Sequence, residues 1–397
     1  FVVSGSPSGT GFVSGFSEMR SYLVNDRYVR RRIVEVLRAE GVPLINSSPV
    51  GRHWKRRDLR RQGVRGRRDY ERWARERGIP DEWLEEQERI DAECGLAFAN
   101  VDHRKMILVD GERAFIGSQN IADSYFYSNE LDPDPRVNVR RWQWHDNSAI
   151  LEGGCVPELN RLFLQRWALS GGDLFDADDP LYAPPPRRAG SAVATVVTSI
   201  PGMMRLPPRR NVPRLLASMF GADLRPVPEG SNPIRERVRR LTELARDDLY
   251  VEHCYPSDGT LLEHWARTGT RLRDFTFVVP HHYDTRVLGL ECDRYYPELL
   301  AAGLRLFGYD RAILHSKVAV ADGFYVTNGS YNLTLRSGRA DLELQFFLQD
   351  TDYGGEVRRR IREDLELSRP VRPGPVARWR SRFSLPFFDA VVRYFLL

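Results

Sequence analysis

HRKMILVDGERAFIGSQN, from His103 to Asn120, and HSKVAVADGFYVTNGSYN, from His315 to Asn332, are two copies of one pattern, with His, Lys, Asp, Gly, Gly-Ser and Asn in identical register. Copies this far apart mark a duplicated half rather than a short repeat unit. In each copy the segment from His to Asp is β-rich, and Asp110-Gly111 and Asp322-Gly323 supply the dipeptide favoured in tight two-residue hairpins. Each copy therefore predicts a β-hairpin. Residues i and i+2 share a strand face, so His103 projects with Lys105, and His315 with Lys317. Ser118 and Asn120 share a side of the first return strand, as Ser330 and Asn332 do in the second. Each hairpin then offers imidazole, ammonium, hydroxyl and amide together, while Asp110 and Asp322, at turns, read as structural.

Chance does not explain the doubling. With eight His and three Lys in 397 residues, one H-x-K triplet is expected roughly 0.06 times per chain. Lysine placement points the same way: among 59 Lys+Arg the lysines are Lys55, Lys105 and Lys317 alone, and two of these hold equivalent motif positions. Codon bias toward Arg explains the scarcity but not that persistence. A slim ammonium where a planar guanidinium would not fit does.

Around the motifs the halves remain alike. FVV at 1–3 faces FVVP at 277–280, each followed by a helical stretch and a short β-type run, GVPLIN from Gly41 and GLRLFGY from Gly303. The second half carries more before its FVV: a strand-like AVATVVTS from Ala192, a helical IRERVRRLTELARDD from Ile234, a strand LYVEHCY from Leu249 and a helix around Leu261. The first half has no counterpart, so about 80 further residues are expected upstream, and these could carry membrane spans. The organisation reads as a first lobe, 1–180, with a charged helical insertion at about 47–100; a Pro-rich linker from Asp178 to Gly190; a second lobe, 190–370; and a basic, apolar tail, 371–397, suited to packing or to a membrane surface. The insertion reads first as a solvated helical hairpin and second as an anion-binding element.

Composition sets broad limits. At 42% hydrophobic and 28% charged residues the chain is a folded protein, and its net charge of +5 favours anionic partners. Cys94, Cys155, Cys254 and Cys292 lack C-x-x-C spacing and read as free thiols. No run of 18 apolar residues exists, so the sequence itself holds no spanning helix.

On these motifs the sequence resembles the phospholipase D superfamily, whose single-chain members carry H-x-K-x4-D followed by G-S/G-x-N twice. The flanks are similar to bacterial cardiolipin synthases: NIADSY, then WHD at Trp144 to Asp146, then LEGGCVPELNRLFLQRW in the first half, and EHCYPSDGTLLEHW with YYPELLAAGLRLFGY in the second. VDHRK departs from the Arg-Asn that usually precedes HRK, and Gly-Ser-Gln-Asn from a frequent Gly-Gly. The resemblance implies an α/β fold of two pseudo-symmetric lobes, each a mixed sheet flanked by helices, with the active site between them. It implies phosphodiester transfer through a phosphohistidine, with His103 attacking, His315 as acid, and Lys105, Lys317, Asn120, Asn332, Ser118 and Ser330 on the phosphoryl oxygens. Carboxylates cross over behind the rings, Glu343 to His103 and Asp146 to His315. It further implies no cofactor or metal, a monomeric catalytic unit, phospholipid and a bacterial cytoplasmic membrane surface as partners, and water, glycerol or a lipid alcohol as acceptor. The alternative is a metal-independent nuclease, favoured by the Arg-rich insertion.

Overall fold

The computed structural model describes residues 57–93, 102–120, 125, 143–174, 189–199, 232–284, 286–339 and 341–372, with 39–41 and 45. The FVV stretch at 1–3, most of GVPLIN, the linker up to 188, Cys94 and the tail beyond 372 lie outside the described residues. Among those described, the strands are β1 (Met106–Val109), β2 (Arg113–Gly117), β3 (Trp144–His145), β4 (Ser148–Glu152), β5 (Val193–Ser199), β6 (Asp248–His253), β7 (Asp274–Pro280), β8 (Arg305–Tyr309), β9 (Ile313–Leu314), β10 (Lys317–Ala321), β11 (Tyr325–Gly329), β12 (Glu343–Gln349) and β13 (Ser368–Pro370). Five helices matter below: α1 (Arg67–Glu76), α2 (Asp81–Glu93), α3 (Val156–Leu169), α4 (Gly259–Thr268) and α5 (Thr351–Glu366).

The second half is built on one eight-stranded mixed sheet, ordered β13-β8-β7-β6-β10-β11-β12-β5. β6, β7 and β8 run parallel, and β10 joins β6 antiparallel. The central strands are covered on both faces, which is why β6 is buried at every position and β7 reads as an apolar run. One face packs on α4, where Trp265 stands edge-on to Phe275 and Phe277 at 5.8 and 5.9 Å. On the other, Ile361 of α5 joins Tyr250, Val278, Val320 and Val326. Asp258 caps α4 by accepting the Leu261 N–H, and Asp350 caps α5 by accepting that of Tyr353.

In the first half, β1, β2 and β4 form a three-stranded sheet that is wholly antiparallel. The described residues of this half hold antiparallel pairing only, while the mixed sheet expected is seen in the second half. The stretches that would match the parallel strands of the second half, FVV and GVPLIN, fall almost entirely outside the described residues. The small sheet is not separate from the large one: Met106, Ala114, Ile116 and Leu151 share a core with Leu344, Phe346 and Leu348 of β12. α3 covers it with Val156, Leu159 and Leu162.

α3 also explains the insertion. Its far end, Leu164, Ala168 and Leu169, packs with Tyr70, Trp73 and Ala74 of α1 and with Trp83 and Leu84 of α2. The helical hairpin is therefore not merely solvated. Tyr70, Trp73 and Ala74 fall at i, i+3 and i+4, a narrow apolar stripe that the surrounding arginines conceal in composition.

Both Asp-Gly turns have positive φ at both residues, 53° and 69° at Asp110-Gly111 and 54° and 62° at Asp322-Gly323, as the type I′ geometry requires. The strand register nevertheless pairs Val109 with Arg113 and Ala321 with Tyr325, leaving Glu112 and Phe324 as one extra residue beyond the two-residue loop expected. The strands also begin late, at Met106 and Lys317. The histidines precede them, and something other than the hairpin fixes their position.

Candidate active site

That something is the opposite half of the chain. The His103 N–H donates to the Leu342 carbonyl at 2.9 Å, and the His315 N–H to the His145 carbonyl at 2.8 Å. β3 and β9 pair in parallel just before His315, and Asp102 bridges Leu342 in parallel just before His103. Each accepting carbonyl belongs to the residue preceding a carboxylate, so the exchange seats that carboxylate on the imported ring. Glu343 meets His103 Nδ1 at 3.0 and 3.1 Å, and Asp146 meets His315 Nδ1 at 2.8 Å. An Nδ1–H donated to the carboxylate leaves Nε2 of each ring for chemistry.

The serines lie behind the rings rather than in front. Ser118 Oγ donates to Asp146, and Ser330 Oγ to Glu343 at 2.5 Å; both serines are fully buried. This corrects their expected place on phosphoryl oxygens: a hydroxyl consumed by a carboxylate orients that carboxylate. Ser337 adds a second hydroxyl to Glu343 at 2.6 Å. The preceding glycines make this possible, because a Cβ on Gly117 would stand 2.3 Å from the Asn147 carbonyl and one on Gly329 2.2 Å from that of Leu344.

Lys105 Nζ donates to the His103 carbonyl at 2.8 Å and Lys317 Nζ to that of His315 at 2.7 Å. Both lysines are buried, and Lys317 Nζ also lies 3.2 Å from His315 Nε2. The two amides are held differently. Asn120 donates to the Tyr125 hydroxyl at 2.7 Å, whereas Asn332 accepts from the Cys254 thiol at 3.2 Å. Asp110 and Asp322 stay at their turns, and Asp322 accepts the N–H groups of Arg246, Asp247 and Asp248 at the start of β6.

Electrostatically the two motifs form one neighbourhood. Burial, then Lys105 and Lys317, push His103 well below the ordinary imidazole range; burial, then Lys317, bring His315 down to about 4. Burial and the Lys317 charge lower Lys105 to about 7, against the opposing pull of Glu343 and Asp146. Burial lifts Glu343 to about 7, with Lys105 and its two serines opposing. Each imidazole thus feels the lysine of the other motif. Two buried lysine amines beside two imidazoles that burial keeps from charging make a site suited to an anion.

A further cluster supports the backbone before His103. Arg104 holds Asp102 through two bonds of 2.9 and 2.8 Å, and Arg166 of α3 stands 3.6 Å from the same carboxylate while donating to Gln87 of α2 at 2.8 Å. Burial alone would raise Asp102, but these arginines hold it below the usual carboxylate range. The Asp of VDHRK, a departure from the expected motif, is thereby tied to the insertion. His281, His282 and Asp310 also gather their donor atoms within 4.8 Å, but Arg369 occupies Asp310 at 2.6 Å.

Comparison with known proteins finds similarity over part of the chain. The family described as "Cardiolipin synthase, PLD-like domain" matches residues 238–365. Cardiolipin synthase 2 of Bacillus anthracis is 26% identical over 278 residues, 68% of this chain and 46% of that protein. Cardiolipin synthase of Geobacillus thermodenitrificans is 27% identical over 274 residues, 68% of this chain and 47% of that protein. The second half is thus similar to the PLD-like domain of cardiolipin synthases. The chain spans about half the length of the curated relatives it matches. Among solved structures, phosphatidylserine synthase of Haemophilus influenzae Rd KW20 aligns at 13% identity and a TM-score of 0.47, covering 75% of this chain and 72% of that one.

The aromatic surroundings of the second motif were not foreseen from the sequence. Trp144 stands edge-on to the His315 ring at 4.9 Å, Tyr255 at 5.9 Å and Tyr125 at 6.0 Å. Trp144 belongs to the WHD stretch and was open to notice; Tyr125 and Tyr255 carry no spacing signal.

Proposed function

We propose that the chain transfers phosphatidyl groups by phosphodiester exchange through a phosphohistidine, on a phospholipid at a membrane surface. The observation that carries this is the crossed pairing, in which Glu343 of the second half holds His103 and Asp146 of the first holds His315. Such a pair serves one substrate, because neither half owns a complete imidazole–carboxylate unit.

The first step has His103 Nε2 attack phosphorus while the bond to the leaving alkoxide breaks and His315 supplies its proton. Burial and the two lysines favour neutral rings. An incoming phosphodiester offsets the charge of Lys105 and Lys317 and so restores the proton affinity of His315. Water or an alcohol then attacks phosphorus, passes its proton to His315 and releases His103. Lys105, Lys317 and Asn332 stabilise the non-bridging oxygens, and Asn120 flanks them beside Tyr125. Glu343 and Asp146, braced by Ser330 and Ser118, orient the rings and favour their charged forms. Phospholipid as the donor is supported by the curated relatives, which are named cardiolipin synthases. The two lobes, 1–180 and 190–370, make one monomeric catalytic unit, peripheral to the membrane; among the described residues no helix is long and apolar enough to cross it.

The test is incubation with phosphatidylglycerol vesicles and, separately, with plasmid DNA, both in the presence of a chelator. Lipid turnover is expected, abolished in His103→Ala and in His315→Ala with the fold intact by circular dichroism. A 32P-labelled covalent adduct should form with wild type and vanish in His103→Ala. DNA cleavage without lipid turnover, or lipid turnover persisting in either variant, overturns the proposal.

A further inference from the structure

His145 is used above only through its carbonyl, yet its side chain also reaches into the second half. Its Nε2 lies 3.0 Å from Asp364 Oδ2 of α5 and 3.9 Å from Glu252 Oε1 of β6. Its ring stacks on Tyr309 at the end of β8, with centroids 4.7 Å apart and planes 28° from parallel. Three elements of the second half thus hold one imidazole of the first. The same residue accepts the His315 N–H through its backbone and is followed directly by Asp146, the carboxylate on the His315 ring. Trp144, on its other side, is the ring standing edge-on to His315. Any displacement of His145 therefore moves three supports of His315 together.

We propose that His145, as an imidazolium clamped between Glu252 and Asp364, is the positioning residue that sets where His315 and Asp146 stand. The inference rests on the two-histidine reading of the site. The groups facing the ring are the carboxyls of Asp364 and Glu252, the neighbouring Asp146 in the chain and the Tyr309 phenol, with the Ser316 hydroxyl bordering Glu252. Two carboxyl groups enclosed with one imidazole favour a proton on that imidazole. Burial works against this charge, but Asp364, Glu252 and Asp146 outweigh it and raise His145 to about 9. Glu252 moves the other way: burial and the Asp364 carboxyl push it well above the carboxylate range, with His145 and Ser316 opposing. Since the folded pKa of His145 exceeds its ordinary value, the clamp is complete below about 6.5 and is lost as pH rises through about 9.

Imidazole resonances followed by NMR against pH, on the full chain without substrate, test the clamp itself. His145 should titrate near 9, with the His315 ring resonances shifting in the same step, and Asp364→Asn should lower that midpoint. Steady-state kinetics then test its consequence. His145→Gln should lower kcat by about 10- to 100-fold with KM within about twofold, the pattern of a misplaced catalytic group. His145→Arg, which keeps a cation at every pH used, should recover most of kcat and move the alkaline limb upward. A midpoint near 6.5, or His315 resonances that stay still while His145 titrates, overturns the proposal whatever the substrate proves to be. So does full kcat in a folded His145→Gln enzyme. Absence of lipid turnover in wild type would count against the phosphatidyl-transfer reading and leave the NMR result to decide this one.

Discussion

The identity of the motif cation is set by what its charge must reach around. Lys317 Nζ donates to the His315 carbonyl and lies within 3.3 Å of both ring nitrogens, in a pocket where the side chain is 1% exposed. A guanidinium carries the same charge but spreads it over a planar fork, which must displace the ring or the carbonyl. Lys317→Arg should therefore lower kcat/KM by about 100-fold, close to 2.7 kcal/mol of transition-state stabilisation. Overpacking should take about 1–3 kcal/mol from stability as well. Initial rates with a urea melt check both, and near-wild-type activity in this variant would show that charge alone suffices. His-x-Lys was readable because it combines scarce residue types at fixed spacing. The direction of the serines was not, since Ser118 and Ser330 occupy positions compatible with either a phosphoryl oxygen or the carboxylate behind it. Only Asp146 and Glu343, brought in from the opposite half, decide between these.

Turn chemistry gave the hairpins: Asp-Gly demands positive φ at both residues, and the structure has it. Loop length was less legible, because the added Glu112 and Phe324 depend on register across the whole ladder. The packing of the insertion is hidden in the sequence for a different reason, its apolar stripe being scattered among arginines that dominate composition. Gly-Ser shows what spacing alone conceals. At Gly329 the strand runs so close to β12 that an added Cβ would fall 2.2 Å from the Leu344 carbonyl, next to Glu343. Gly329→Ala should cost about 1–3 kcal/mol and lower activity, because the strand that shifts carries the carboxylate of His103. Gly117→Ala, its counterpart at 2.3 Å from the Asn147 carbonyl, should behave alike. Gly355, inside α5, supplies the control, since a Cβ added there would meet nothing within 4 Å. Gly355→Ala should gain about 0.5–1 kcal/mol. Urea midpoints for the three variants decide the matter, and equal effects at all three would dismiss the close-approach argument.

At the scale of the molecule, the two halves share a core between the small sheet and β12, and each buries a lysine near enough for the charge of Lys317 to be felt by Lys105. Lys105, held at about 7 by burial and by Lys317, shows the cost of that closeness. Its folded pKa lies below the ordinary 10.5, so carrying the charge burdens stability below about 7, and the burden fades as pH rises from there toward 10.5. An anion seated between the motifs favours the charged lysine and so binds most tightly below about 7. Dimethyl phosphate, a phosphodiester whose charge is constant across this range, is the appropriate probe. At 100 times its Kd it should stabilise the folded chain by about 2.7 kcal/mol, raising Tm more at pH 6 than at pH 9 at equal concentration. Since the shared core joins the halves, the rise should appear in a single unfolding transition. In Lys105→Met the pH dependence of the shift should flatten. A shift that is equal at both pH values in wild type, or confined to one of two separate transitions, would mean that the halves do not close on a common anion.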